Sequence, residues 1–257
     1  MCLIILAIDQ HPDYPFILCG NRDEFHQRPT KQADYWSDVK HIFAGRDLEK
    51  GGTWLGVTTT GKIAAVTNVR DKIDIGTDFL SRGELVTDFL KGDISPKHFI
   101  EEVKTKEHDY QGYNVIVGEN KDFHYSSNRV SDSVKLDQGF HVISNAKLNT
   151  SWPKAEQLKK NFTDSLRNEL FEAEYIEKWL MILRDQTTFP DEELPHTGVG
   201  LELERMLSPI FINGEHYGTR ASTIILLRRD GQIHFVEQSY GPNAVLQGRK
   251  DEMIHLK

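Results

Sequence analysis

Two apolar runs near the start of the chain, "CLIILAI" (2–8) and "PFILCG" (15–20), constrain the fold more than any other feature. Neither run alternates apolar with polar residues. A strand with one wet face reads with period two, whereas a strand covered on both faces reads as a continuous apolar block. Both runs are short, and the "DQHPDY" between them carries aspartate and proline, which favour a turn. The pair is therefore expected to form a hairpin that is largely buried.

Similar blocks recur. "TWLGVTTTGKIAAVTN" reads as a second hairpin with Thr60-Gly61 at its turn, and "YNVIVGE", "DFHYSS" and "GFHVISN" read as further strands. Ser81 and Glu84 have capping-box spacing ahead of "LVTDFL", and Ser95-Pro96 places an N-cap and a first-turn proline ahead of "KHFIEEVKTK". From Pro153 to about Gln186 the chain reads as helical, with Ala155, Leu158, Phe162 and Leu166 and then Tyr175, Trp179 and Leu183 at three- and four-residue spacing. A loop, "TTFPDEELPHTG", leads to a short helix near Leu201–Leu207, and a hairpin around Asp230-Gly231 closes the chain. The order is strands, helices, strands, helices, strands. Such blocks predict an α+β layered fold of two mainly antiparallel sheets with helices on their outer faces. No repeat or low-complexity linker interrupts the chain, so 1–257 is expected to be a single domain.

Charge and composition remove several functions. A net charge of -8 leaves no basic surplus for nucleic-acid phosphates. No apolar run approaches the roughly 20 residues that cross a bilayer, and Asp9 ends the first run too early for a secretory leader. With only Cys2 and Cys19, a reducing, cytoplasmic location is expected, and Cys19 reads as a buried structural residue. No spacing of histidine, cysteine or paired carboxylates suggests a metal centre.

Cys2 is different. Removal of Met1 would leave one residue with a thiol nucleophile and a free α-amine that can act as its base. Such a residue needs its strand tied into a sheet and needs polar partners for an oxyanion. Polar residues stand where apolar runs end: Arg22, Asp23 and Glu24 after the second run, Asn68 after "KIAAVT", Asn145 after "GFHVIS", and Arg220 ahead of "ASTIILL". Asparagine amides suit an oxyanion, arginine favours a thiolate, and a carboxylate orients an amine. In "GGTW", Gly51-Gly52 either let backbone approach a ligand or simply turn the chain, and Trp54 is either a pocket wall or core.

"MCLIILAID", "NRDEFHQRP", "GGTWLGVTTTGKIAAVTNVRD", "RGELV", "ISNA" and "YGTRASTIIL" together resemble the NRDE family, which includes the eukaryotic transport and Golgi organisation proteins. That family is similar to the N-terminal nucleophile hydrolases, so the resemblance implies a four-layer αββα sandwich. The cysteine branch of those hydrolases, which includes bile salt hydrolases and penicillin V acylases, cleaves amides with a cysteine at position 2. By motif, the resemblance carries the nucleophile to Cys2, the two asparagines to Asn68 and Asn145, and the late arginine to Arg220. One departure is visible. Counted from Gly20, the branch's arginine and aspartate positions fall on Asn21 and Glu24, with Arg22 and Asp23 between them.

Two readings follow. In the first, Cys2 attacks a small amide, ester or thioester without any required cofactor, Arg22 stabilises a thiolate of depressed pKa, and Asp23 or Glu24 orients the amine. In the second, the same pocket carries a hydrophobic ligand, because eukaryotic relatives are linked to haem mobilisation and lipid homeostasis. Haem is then the candidate ligand, and Asn21, His26 and Trp54 are the candidate ligand contacts.

Overall fold

The N-terminal hairpin forms as expected, from β1 (Cys2–Ile8) and β2 (Phe16–Phe25), and every residue of β1 is buried. The computed structural model describes residues 2–71, 79–167 and 170–257. Met1, whose removal the sequence reading invokes, lies outside them. After the hairpin come β3 (Thr30–Tyr35), β4 (Ile42–Asp47), β5 (Leu55–Thr58) and β6 (Ile63–Asn68). Helices α1 (Arg82–Lys91) and α2 (Pro96–Thr105) lead to β7 (Tyr113–Glu119), β8 (Asp122–Ser127), β9 (Val134–Lys135) and β10 (Gly139–Ile143). Helices α3 (Pro153–Ser165), α4 (Glu172–Leu183) and α5 (Leu201–Met206) precede β11 (Tyr217–Leu227), β12 (Gln232–Tyr240) and β13 (Leu246–His255).

Among the described residues the strands form two antiparallel sheets. One has the order β10-β1-β2-β11-β12-β13 and the other β3-β4-β5-β6-β7-β8-β9. The continuous apolar runs are explained by what covers each face. Ile4, Leu6, Phe16 and Leu18 point between the sheets, where Phe16 stacks on Phe123 at 4.0 Å between ring centroids. Leu3, Ile5, Ile17 and Cys19 point the other way, against Leu158, Phe162, Trp179 and Leu180 of α3 and α4. The second sheet buries Ala64, Val66 and Val115 under Leu85, Phe89 and Phe99 of α1 and α2. Helices, sheet, sheet, helices: the fold is the α+β, αββα sandwich.

Three details correct the sequence reading. The helical stretch from 153 is two helices, because the chain reverses after Ser165 so that α4 packs beside α3. Trp179 Nε1 donates to Ser165 Oγ at 2.8 Å across that joint. Ser81 precedes α1 but its side chain makes no cap hydrogen bond, whereas Ser95 Oγ accepts from the His98 amide at the start of α2. Strands β3, β4, β9 and β13 were not read from the sequence. Most residues of β3 and β13 are exposed or half-buried, so their sequences carry little apolar signal.

Candidate active site

Cys2 starts β1 and stands directly opposite Arg22 in the β1–β2 ladder. Alternation along β2 then sorts the four polar residues onto two faces. Arg22 and Glu24 follow Phe16 and Leu18 to the face between the sheets, while Asn21 and Asp23 follow Ile17 and Cys19 toward the helices. A cavity of about 520 Å³ opens on the first face, and its walls include Cys2, Arg22, Glu24, Trp54, Asn68, Arg220 and Glu237, with Asp23 at its edge.

Burial dominates the electrostatics of Cys2. It pushes the thiol up to about 11, Arg22 partly opposes it, and the Asp23 carboxylate adds to it, although the Asp23 backbone amide donates toward the sulfur. In the chain that still carries Met1 the thiol is thus raised, whereas the depressed thiol expected from the sequence belongs to a Cys2 with its own free α-amine. At neutral pH the resting residue is a thiol, and it needs a base at the moment of attack. Arg22 lies 3.8 Å from Glu24, so its charge is only loosely neutralised.

Arg220 reaches the cavity through a β-bulge. Thr219 pairs with Asp23 and Ala221 with Arg22, which leaves Arg220 as the extra residue, its side chain re-aimed. Its Nη1 donates to the Phe25 and Arg28 carbonyls at 3.3 and 2.5 Å. Burial and the neighbouring Arg22 both lower its pKa.

The two asparagines do not play equal parts. Asn68 lines the cavity at the end of β6. Asn145 is buried beside it, and its Nδ2 donates to the Asn68 carbonyl at 3.0 Å while its own carbonyl accepts from the Arg70 amide. With Thr67 Oγ1 donating to the Ser144 carbonyl at 2.8 Å, these bonds lace the ends of β6 and β10 together across the two sheets. Asn145 thus braces Asn68 rather than facing the cavity.

Two proposed ligand contacts sit elsewhere. Asn21 is fully buried on the helix side, where its Nδ2 donates to the carbonyls of Leu183 and Ile210 and its Oδ1 accepts from Ser222 Oγ. Its hydrogen-bonding capacity is spent on fastening α4 and the 208–212 segment to the sheet. His26 packs against Gly218 beyond the bulge, outside the cavity wall. Burial and Arg220 lower its pKa. Trp54 is a cavity wall that also packs on the core clusters of both faces of its sheet. Gly51 takes a left-handed turn (φ 77°), and a Cβ on Gly52 would lie 2.8 Å from the Gly83 backbone, so this glycine lets α1 approach the loop.

Sequence reasoning missed Glu237, Lys154 and Glu204, and noted Arg70 only as one of the polar residues that follow Asn68. Glu237 lies in phase with Ile233 and Phe235 on β12, a period-two signal that it points inward. It accepts from the Ala33 amide at 2.8 Å, and burial raises its carboxyl pKa. Behind β2, Arg70 and Glu204 form a buried ion pair at 2.9 Å, with the Arg70 guanidinium over the Trp152 ring. Among the described residues no cluster of three or more histidine, cysteine or carboxylate groups is arranged to hold a metal, and no helix is long and apolar enough to cross a membrane.

The four layers, helices, sheet, sheet and helices, are the αββα sandwich that N-terminal nucleophile hydrolases also adopt, and Cys2 lies on the wall of the cavity between its sheets. The structure is similar to that of the Caenorhabditis elegans N-acylethanolamine-hydrolyzing acid amidase ortholog, with a TM-score of 0.53 at 14% identity over 88% of this chain and 92% of that one. The chain belongs to the Transport and Golgi organisation 2 family, whose model matches residues 1–242. It is 34% identical over 259 residues to the human Transport and Golgi organization protein 2 homolog, covering 93% of each chain. The Drosophila melanogaster Transport and Golgi organization protein 2 is 26% identical over 278 residues, covering 93% of this chain and 92% of that one.

Proposed function

We propose that this protein is an N-terminal cysteine hydrolase that cleaves a small amide, ester or thioester. The observation that carries the reading is the placement of Cys2: the first residue of a fully buried strand, opposite Arg22, at the wall of a cavity large enough for a small substrate. In this mechanism Met1 is removed and the α-amine of Cys2 takes the thiol proton as sulfur attacks the carbonyl carbon. Asn68 donates to the tetrahedral oxyanion, with Asn145 holding it in place. Collapse breaks the bond to the amine, alcohol or thiol, which leaves with the proton from the α-ammonium. Water, deprotonated by the same amine, then attacks the acyl-cysteine and releases the acid. Arg22 favours the developing thiolate, and Asp23 orients the ammonium.

Arginines and carboxylates on the cavity wall favour a polar or charged substrate over an apolar cargo. The deciding experiment is intact-mass analysis of the purified protein before and after incubation with a panel of activated acyl esters. Loss of Met1 and a stable acyl adduct on Cys2, absent in Cys2→Ala, are expected. Retained Met1 with no adduct on any ester would overturn the reading.

A further inference from the structure

Beyond Arg22 the cavity continues away from Cys2 across the whole first sheet. Cys2 pairs with Arg22, Arg22 with Ala221, Ala221 with Ser239 and Ser239 with Gly248, and all five line the cavity. Residues directly opposite one another in antiparallel ladders share a face, so this row is the cavity floor. After Arg22 its members are small, which leaves room for a chain running over β11, β12 and β13.

Glu237 lies one step further in along β12, on the same face as Ser239. It is 4% exposed, lines the cavity, and its Oε1 accepts from the Ala33 amide at 2.8 Å. Its Oε2 faces Gly45 of β4, where a side chain would begin 3.7 Å away and none exists. The nearby cations are turned elsewhere. Lys250, directly opposite on β13, reaches Asp34 at 3.4 Å, and Arg22 reaches Glu24 at 3.8 Å. Among the described residues no cation forms an ion pair with Glu237. A carboxyl buried this far needs hydrogen bonds to complete it. The Ala33 amide supplies one and the Thr223 hydroxyl, opposite on β11, lies beside it, which leaves the cavity side for a ligand.

We propose that Glu237 is a specificity-determining residue of the Cys2 site, hydrogen-bonded to an amide or hydroxyl of an extended, peptide-like ligand that lies along the floor from Cys2. Three inter-strand spacings of about 4.8 Å and two residues along the strand put it roughly 16 Å from Cys2, about the span of four to five extended residues. Arg22 and Arg220 on the same wall oppose a cation there, and an apolar tail would leave the carboxyl buried without its remaining partner. That the ligand is a substrate rests on the hydrolase reading. The subsite itself rests on the strand register and on the burial of Glu237.

Alkylation tests the subsite without any hydrolysis. Rates of Cys2 modification are read by intact mass, with Cys2→Ala as the blank, for iodoacetyl-glycine amide, iodoacetyl-tetraglycine amide and N-decyl iodoacetamide. Each is divided by the rate of the same reagent with free cysteine. The tetraglycine reagent, long enough to reach Glu237, should react about fivefold or more faster than the other two. Glu237→Met should abolish that advantage, and Glu237→Gln, which keeps hydrogen-bonding capacity, should restore it. Ser239→Leu fills the floor on the way to Glu237 and should abolish it too, which keeps the test decisive if Glu237→Met does not fold. A tetraglycine rate no higher than the glycine rate, or an advantage that survives in either folded variant, would overturn the proposal. A decyl advantage would do the same. Esters that leave no acyl adduct, with the alkylation pattern intact, would sink the hydrolase reading and leave the subsite standing.

Discussion

Cys2 and Arg22 face each other across the first ladder of the sheet, with the thiol and the guanidinium on the cavity side. The arginine lowers a thiol pKa that burial has raised to about 11. Arg22→Met should therefore displace the pH profile of Cys2 alkylation by iodoacetamide to higher pH. At pH 8 the rate should fall about threefold to tenfold, as read by intact mass. An unshifted profile would mean that Arg22 does not act on the sulfur.

Asn21 tests the division of labour within the polar run. Removing its amide in Asn21→Ala strands the Leu183 and Ile210 carbonyls and the Ser222 hydroxyl in the interior. A loss of about 2–4 kcal/mol in urea unfolding is expected. In the folded variant, Cys2 alkylation should stay near wild type, because Asn21 faces the helices rather than the cavity.

Arg220 ties the Phe25–Arg28 turn to β11 through two backbone carbonyls. Arg220→Ala should cost about 1–3 kcal/mol, since those carbonyls lose a charged donor. It should also raise KM more than it lowers kcat for whichever activated ester the wild type turns over, because the arginine shapes the cavity wall. Equal stability and equal KM would remove Arg220 from the site.

Glu237 predicts a pH dependence with a definite sign. Its folded pKa is raised, chiefly by burial, so the folded state holds the proton more tightly than the unfolded chain. The stability it contributes is full below the ordinary carboxylate range and is lost as pH rises through the raised folded value. Glu237→Gln should flatten that part of the melting-temperature profile. Its advantage over wild type should be greater at pH 8 than at pH 4. An identical slope in both proteins would show that Glu237 does not titrate differently on folding.

Much of the architecture was legible because burial on both faces writes itself into sequence as continuous apolar strands. The runs at Cys2–Ile8, Ile63–Asn68 and Tyr113–Glu119 all formed as read. Edge strands are quieter: β13 has one wholly buried residue, Ile254, and its charged sequence looks like a tail. At the site, Cys2, Arg22 and Asn68 line one cavity. Asn21 did not reach the cavity because strand phase sends it to the opposite face from Arg22, and His26 did not because β2 ends at Phe25 and the chain turns there. Lys154 went unseen for the converse reason. A lysine in a first helical turn looks solvated, and only its four-residue spacing to Leu158 and Phe162 marks it as interior.

The extra residue at Arg220 has a consequence for how errors in this chain would propagate. Ser222 and Thr219 are three positions apart, so an unbroken strand would aim them to opposite faces. Yet they bind Asn21 and Asp23, two positions apart on one face of β2. The bulge supplies the missing half-period, like a phase shifter between two waves of unequal count. Deleting Arg220 would set Thr219 two positions from Ser222 and opposite Asp23 in a regular ladder, so both would keep their partners on β2 and only the arginine would be lost. The bulge therefore adds an arginine to the cavity side without cost to the polar bonds on the other face of β2.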